Sequence, residues 1–529
     1  MDTPFYRRSF WIQGLFGVGA LVALGLAAGF AQTDGVWQHL AETVLAELLW
    51  NTARLALGVG VGTIVLGVTL AWLTAVYDFP GRRWLEWGLM LPLAIPPYIT
   101  AFVAIGLLDF SGPVQSALRE RFGGPVPFPP IRSTGGVIAV MTLSLYPYVY
   151  LPARGAFLSY GRRLREVSQS LGRHRGFFWI VLPMARPAVA AGVLLVVMET
   201  LADFGTVATF NYDTLTTAVY KAWFGFSSLA AAAQLSLLLA LAAVAIILIE
   251  SRFRSGARYT TVDAAPADRV PLAGAQGWLA SGYAAGIFSL AVVVPVGQLL
   301  AWAAPTLRDE WGGHFLGDVA HSALLGVIVA LCCGAVAFLS ISRRRRSGQT
   351  SGGATGGMLL TKLGYALPGP VLAVGLFTLF AAIDTRLAPF IPAVGGTLVA
   401  LVLAHVIRFQ AVAEAPISSA MAAISPRMDE SARSLGVRGF SLWRRLYLPQ
   451  AMGGAAAAFA LVFLDVMKEM PITLMMRPFG WETLSVRIFE MTSEGQWERA
   501  ALPALGLVLA GTPAMIFATA IGTARRDGR

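Results

Sequence analysis

Four acidic side chains sit where a strongly apolar chain has few: Glu199 and Asp203 in one segment, Asp465 and Glu469 in another. Each pair is spaced by four residues, which places both carboxylates on one face of a helix. Each pair also follows a Leu-Pro step, Leu182-Pro183 or Leu448-Pro449, at the same two offsets of 16 and 20 residues from the proline. At a rise of about 1.5 Å per residue the acids lie roughly 24 and 30 Å past it, in the outer half of a bilayer. A carboxylate in hydrocarbon costs several kcal/mol unless it is paired or faces water. A shared polar cavity opening outward, lined by Glu199, Asp203, Asp465 and Glu469, is therefore expected. Carboxylate oxygens suit a hard cation, and Lys468 beside Glu469 offsets part of the charge. The alternative is structural: the acids bind backbone amides where the helices break, at Gly205 and Pro471. An ion in passage has to leave, so no stable metal site is expected.

The elements that must hold these acids follow from composition. The chain is 56% hydrophobic and 13% charged, with a mean hydropathy of +0.66, which is the profile of a polytopic membrane protein. Twelve apolar runs long enough to span as helices are centred near residues 21, 63, 97, 145, 197, 239, 289, 330, 370, 401, 462 and 511. Strands would alternate in polarity instead. The chain also repeats. Glu166-Val-Ser-Gln-Ser-Leu-Gly172 returns as Glu430-Ser-Ala-Arg-Ser-Leu-Gly436, 264 residues later (436 − 172). Six spans per half make the repeat parallel. The reading is a first half over 1–260, a linker over 261–275 and a second half over 276–529, with the repeated loops at about 160–186 and 424–452. Other matches support it: Asn51-Thr52 with His321-Ser322, Ala94-Ile95-Pro96-Pro97 with Ala366-Leu367-Pro368-Gly369, and Thr214-Leu215-Thr216 with Thr483-Leu484-Ser485. Prolines inside spans are read either as kinks or as a wall of a conduction path. Segments 109–133 and 476–499 are expected as outward loops, the first irregular, serving an external partner or merely connecting.

The net charge of +11 does not point to nucleic acid. Most of the 40 Lys and Arg fall on one set of loops: Arg82, Arg83, the 154–186 and 252–269 loops, Arg343 to Arg346, and the 408–445 loop. The positive-inside rule then places both termini and both repeated loops in the cytoplasm. Arg343 to Arg346 read as a topology anchor. The first run, after Arg7 and Arg8, is about 22 residues, longer than a signal core, so an uncleaved first span is expected. Cys332 and Cys333 read as packing residues. A phosphate-binding loop needs Gly-Lys-Ser/Thr. Lys221, Lys362 and Lys468 precede Ala, Leu and Glu, and the five histidines are scattered. Any ATP hydrolysis is therefore expected on another polypeptide, and this chain is read as a transport subunit, not an enzyme.

Each repeated loop has a helical stretch ending at a glycine, a second amphipathic stretch, then Leu-Pro. Two short helices at an angle are expected at the cytoplasmic face. The pattern resembles the EAA loop of ABC importer permeases, whose coupling helix docks on an ATP-binding subunit. The matching positions are Glu166, Gly172, Leu182 and Pro183, and Glu430, Gly436, Leu448 and Pro449. Two features depart from the pattern: Val167-Ser168 and Ser431-Ala432 stand where the pattern has Ala-Ala, and the first loop is two residues shorter between Gly and Pro. Met198-Glu-Thr-Leu-Ala-Asp-Phe-Gly-Thr206 with Tyr220-Lys-Ala-Trp-Phe-Gly225, and Asp465-Val-Met-Lys-Glu-Met-Pro471 with Leu474-Met-Met-Arg-Pro-Phe479, resemble the two halves of fused ferric-iron permeases. The resemblance implies an all-α, type I importer-like permease of the bacterial inner membrane that moves Fe(III) by alternating access. It implies a periplasmic substrate-binding protein, a homodimer of ATP-binding subunits carrying ATP and Mg, and no cofactor on this chain. Related fused permeases carry thiamine or phosphonates. An ion-coupled secondary transporter, with the acids as relays, is the alternative of a different class.

Overall fold

The computed structural model describes residues 35–124, 127–159, 181–255, 269–346, 364–387 and 393–527. The architecture is helical, as the composition demands. The long helices are α1 (Leu45–Val76), α2 (Pro97–Leu108), α3 (Thr134–Leu145), α4 (Pro147–Ser159), α5 (Leu182–Ala202), α6 (Leu229–Ser255), α7 (Gly274–Phe288), α8 (Val294–Glu310), α9 (Gly313–Arg346), α10 (Gly369–Leu387), α11 (Leu398–Ala422), α12 (Leu448–Lys468) and α13 (Trp497–Asp527). Among the described residues nine helices are long and apolar enough to cross a membrane. A tenth span results if α3 and α4, bent by 45°, are counted as one. These ten correspond to ten of the twelve expected runs. The run near 21 lies outside the described residues. The run near 511 is α13, which has Pro503 and Pro513 inside it and is not among the nine. The all-α membrane class stands; among the described residues the count is nine or ten spans.

The same triangle of helices occurs twice. Helices α1, α4 and α5 pack on one another, and so do α9, α11 and α12. The end of the expected linker and the helix after it are pinned to the first triangle. Tyr77-Asp78, at the end of α1, pairs in parallel with Val270-Pro271. The Leu272 amide donates to the Asp78 carbonyl at 2.9 Å, and the Ser281 hydroxyl donates to the Pro80 carbonyl at 2.7 Å.

The spans that carry the acids are broken, which corrects the expectation of one shared helix face. Helix α5 stops at Ala202 and α12 at Lys468; Asp203 and Glu469 are extended, with ψ of 125° and 120°. Short helices Gly205–Thr209 and Pro471–Met476 follow. The runs near 97 and 370 are corrected likewise. Their prolines do not kink a continuous span. Pro97 and Gly369 open α2 and α10, where a missing proline amide costs no hydrogen bond. The two halves exchange bulk at this point. A Cβ on Gly205 would lie 3.0 Å from Tyr98, whereas one on Gly369 would lie 2.8 Å from Pro471. A glycine on one partner therefore makes room for a ring on the other, and the roles reverse between halves. The outward segments are also more helical than expected: 109–133 contains helix Pro113–Phe122, and 476–499 contains helix Leu484–Ser493.

The matched dipeptides tie these breaks down. The Leu215 amide donates to the Thr52 hydroxyl at 3.1 Å, and the Leu484 amide to the Ser322 hydroxyl at 2.8 Å. Asn51 donates to the Asp213 carbonyl at 3.1 Å, and His321 Nδ1 lies 3.0 Å from the Glu482 carbonyl. Thr216 and Ser485 hydroxyls donate to the carbonyls of Asp203 and Glu469, at 2.9 and 3.0 Å. The returning chain is thus fastened to α1 and α9 and to the break itself. Leu484 and Ser322 are both buried. Ser322→Ala should strand the Leu484 amide and destabilise the chain by about 1–3 kcal/mol. A melting curve of the purified variant identical to that of the parent would show that this tie carries no stability.

Candidate functional site

The two broken spans meet at one cavity of about 150 Å³, whose wall includes Glu199, Asp203, Asp465 and Glu469. That volume holds several waters or a small ion with its ligands. Pro96, Pro97 and Pro471 line it too, so the prolines of the interrupted runs form wall as well as helix starts.

The four acids have different surroundings. Asp203 accepts the Thr206 and Val207 amides at 2.9 and 3.3 Å and the Thr206 hydroxyl at 2.8 Å. Glu469 accepts the Ile472 and Thr473 amides at 3.0 and 3.2 Å. Each therefore satisfies amides that the broken helix leaves open. Glu199 lies one turn earlier and accepts a 3.0 Å bond from the Tyr365 hydroxyl, which comes from the other half. Asp465 forms no hydrogen bond with any described residue and faces the cavity beside Lys468. Lys468 itself donates to the Leu93 carbonyl, a second contact between the halves across the cavity.

The wall also carries a base that the sequence reading misplaced. Arg408, assigned above to a cytoplasmic loop, lies within α11 and lines the cavity. Its Nη1 donates to the Leu367 carbonyl at 2.9 Å. The misplacement arose from centring the run at 401, whereas α11 extends to Ala422. One turn earlier, His405 is fully buried, with Nε2 3.4 Å from Glu469 and Nδ1 2.9 Å from the Leu401 carbonyl. A carbonyl only accepts, so Nδ1 carries the proton. The i, i+3 spacing of His405 and Arg408 amid apolar residues was the available signal. Among the described residues no three His, Cys, Asp or Glu side chains come close enough to hold a metal.

The second repeated loop lies at the end of α11. Ser425 caps helix Pro426–Ser434 by accepting the Arg427 amide at 3.1 Å, and Pro426 opens the helix. At its other end Val437 donates to Ala432 at 2.9 Å and Gly436 donates to Arg433 at 3.1 Å, the paired bonds of a Schellman stop. Gly436 has φ +77° and open space around its Cβ position, so the glycine is required for its left-handed backbone and not for close packing. Glu430 is exposed, as are Leu435 at 81% and Phe440 at 72%. The expected separate second helix is corrected. Phe440 to Lys468 runs as one helix through a wide π turn at Trp443–Tyr447. That turn accommodates the amide missing at Pro449. In the first loop, Glu166 and Gly172 lie outside the described residues; Leu182 and Pro183 open α5.

Arg345, expected only as part of a topology anchor, fixes this loop. Its Nε donates to Asp429 at 2.8 Å, and its other nitrogens donate to the Met421 and Ile424 carbonyls at 2.7 and 2.6 Å. One guanidinium thereby joins the end of α9, the end of α11 and the loop helix. Arg345→Ala should loosen the loop helix and speed tryptic cleavage at Arg427 and Arg433 several-fold, with the rest of the chain intact. An unchanged cleavage rate would remove this anchoring role.

Comparison with known proteins gives the chain its relatives. Residues 354–527 match the family model described as binding-protein-dependent transport system inner membrane component. The Fe(3+)-transport system permease protein FbpB 2 of Haemophilus influenzae is 31% identical over 491 residues, covering 89% of each chain. The molybdenum transport system permease protein ModB of Escherichia coli is 28% identical over 173 residues, 32% of this chain and 74% of its own. The sulfate transport system permease protein CysW of Escherichia coli is 29% identical over 180 residues, 33% of this chain and 58% of its own. With 31% identity over 89% of both chains, the chain belongs to the family of fused ferric-iron permeases, inner-membrane subunits of ABC-type transport systems.

Proposed function

We propose that this chain imports Fe(III) as the permease of a binding-protein-dependent ABC system. The reading is carried by the alignment with an iron permease over 89% of both chains. Its halves are residues 1–260 and 276–529 about the 261–275 linker, with both termini cytoplasmic. A periplasmic substrate-binding protein delivers the ion. A homodimer of ATP-binding subunits, holding ATP and Mg, takes the coupling loops: Glu166, Gly172, Leu182 and Pro183 in one, Glu430, Gly436, Leu448 and Pro449 in the other. The exposed Glu430, Leu435 and Phe440 support docking at the second loop, because they offer a charge flanked by apolar side chains at the end of a rigidly capped helix.

The mechanism is alternating access. Closure of the ATP-binding subunits draws the two loops together. Arg345 passes that displacement to α9 and α11. The triangles then turn about the cavity, whose wall of Glu199, Asp203, Asp465 and Glu469 forms the translocation pathway. Two contacts that cross between the halves at the cavity, Tyr365 to Glu199 and Lys468 to Leu93, have to break when the triangles separate.

The defining test is ATP-dependent uptake of radiolabelled Fe(III) with and without this gene, with unlabelled thiamine, a phosphonate, molybdate and sulfate as competitors. Gene-dependent iron uptake that none of them blocks is expected; block by one of them would reassign the cargo to that competitor. Glu430→Arg should leave membrane insertion intact, since the side chain is exposed. It should lower binding-protein-stimulated ATPase by about tenfold, the equivalent of roughly 1.4 kcal/mol at the docked surface. Full stimulation in that variant would sink the docking assignment.

A further inference from the structure

The helices that lead into the two repeated loops carry a proline at the same place. Helix α4 precedes the first loop and contains Pro152; α11 precedes the second and contains Pro416. The two prolines are 264 residues apart (416 − 152), the offset that also separates the loops. An interior proline removes one bond of the helix ladder and weakens the helix there. Helix α4 also meets α3 at a 45° bend. Such a helix passes on a push only where its neighbours hold it.

In the second half the end of α9 holds α11 on both sides of Pro416. Arg344 lies 4.0 Å from Glu414 before the proline, and Arg345 donates to the Met421 and Ile424 carbonyls beyond it. In the first half Thr74 and Tyr150 stand at the positions of Arg344 and Glu414 (344 − 74 = 270, as 322 − 52 = 270; 414 − 150 = 264). Their hydroxyls lie 3.1 Å apart. Beyond Pro152, Arg154 pairs with Glu86 of the short helix Arg82–Gly88. Tyr146, Tyr150 and Arg154, spaced by four, all bond to that helix or its end. The two hydroxyls donate to the Leu89 and Glu86 carbonyls at 2.9 and 3.3 Å, and the guanidinium donates to the Glu86 carboxylate. Glu86 also accepts Arg82 Nη1 at 2.6 Å, and Arg82 Nε donates to Asp78 at 2.9 Å. The Arg82, Glu86 and Arg154 side chains are 7, 20 and 13% exposed, and a charge so shielded from water is costly without its partner. Asp78 accepts the Leu272 amide at its carbonyl, beside the Val270-Pro271 pairing.

We propose that Glu86 is a positioning residue of the transport cycle: through Arg154 it braces α4 across Pro152, and through Arg82 and Asp78 it ties that helix to the start of the second half. The inference rests on the import reading and extends it to the first loop. Both halves meet one demand, a proline-weakened helix between span and loop, with different groups. In the second half a guanidinium donates to carbonyls; in the first a carboxylate joins two guanidiniums. The first brace continues by hydrogen bonds into residues 270–272, so a displacement of the first loop is shared with the second half.

The test uses the full chain assembled with its ATP-binding subunits and binding protein in proteoliposomes. It reads the Fe(III) imported per ATP hydrolysed, a ratio that a smaller folded fraction leaves unchanged. R154A and E86A should lower the ratio about threefold or more. R154K keeps the charge and a donor and should restore most of it. Hydrogen exchange on the same assemblies should rise in α4 beyond Pro152 in R154A and E86A. Should these fail to assemble, E86Q, whose amide still accepts one N–H, gives both readouts. A parental ratio in these variants, or R154K as poor as R154A, would overturn the positioning role and leave the import reading standing. If the parent hydrolyses ATP but imports no iron, the import reading falls, and exchange decides the brace: faster exchange beyond Pro152 in E86A supports it, and unchanged exchange overturns it.

Discussion

Every backbone amide in the apolar interior needs a partner within the protein, and the two broken spans are where that demand is most severe. A helix that stops in hydrocarbon leaves several amides open at the start of the next segment, and each costs on the order of 1–3 kcal/mol if it stays open. Asp203 and Glu469 meet this demand from within the break. Thr52 and Ser322 meet it from neighbouring helices. Thr216 and Ser485 cover the carbonyls of the same acids. With these satisfied, the chain can leave helical geometry within the bundle, and the space between the two breaks becomes the cavity. Continuous helices would have packed it shut.

The cavity therefore depends on structure before it depends on charge. Its acids read initially as one set, and the hydrogen bonds separate them. Lys468 and Arg408 lie in the same wall and donate to carbonyls, Lys468 across the halves and Arg408 to Leu367. The bases therefore brace the wall while offsetting its charge. His405 supports Glu469 from behind, and among the described residues no imidazole bonds to Asp203. The two halves share a scaffold but not identical chemistry. The same asymmetry appears in the exchange of glycine and ring between Gly205–Tyr98 and Gly369–Pro471.

The second loop is built by the same economy of partners. Ser425 closes one end of its helix, Gly436 closes the other, and Arg345 ties the helix to α9 and α11. A helix of nine residues is marginal alone. Here its ends and one side are fixed, which leaves Glu430, Leu435 and Phe440 exposed on a firm base. Arg345 gives that element a direct hydrogen-bonded link to both spans.

The sequence alone determined the helical membrane class, the twofold repeat and the residues worth watching. Hydropathy and the recurrence of related motifs at a constant offset report these directly, since each depends on residue type and spacing. Asn51-Thr52 and His321-Ser322 were visible as a match, but their purpose was not. They bond to residues more than 160 positions away, and local pattern carries no information about such pairings. Arg408 was misplaced because a charged residue near the end of an apolar window reads as loop, whereas packing around it allowed α11 to continue. The i, i+4 acids were expected on one face because the rule assumes an unbroken helix. Only the tertiary structure ends that helix between them, because only there are partners available for the amides that a break sets free.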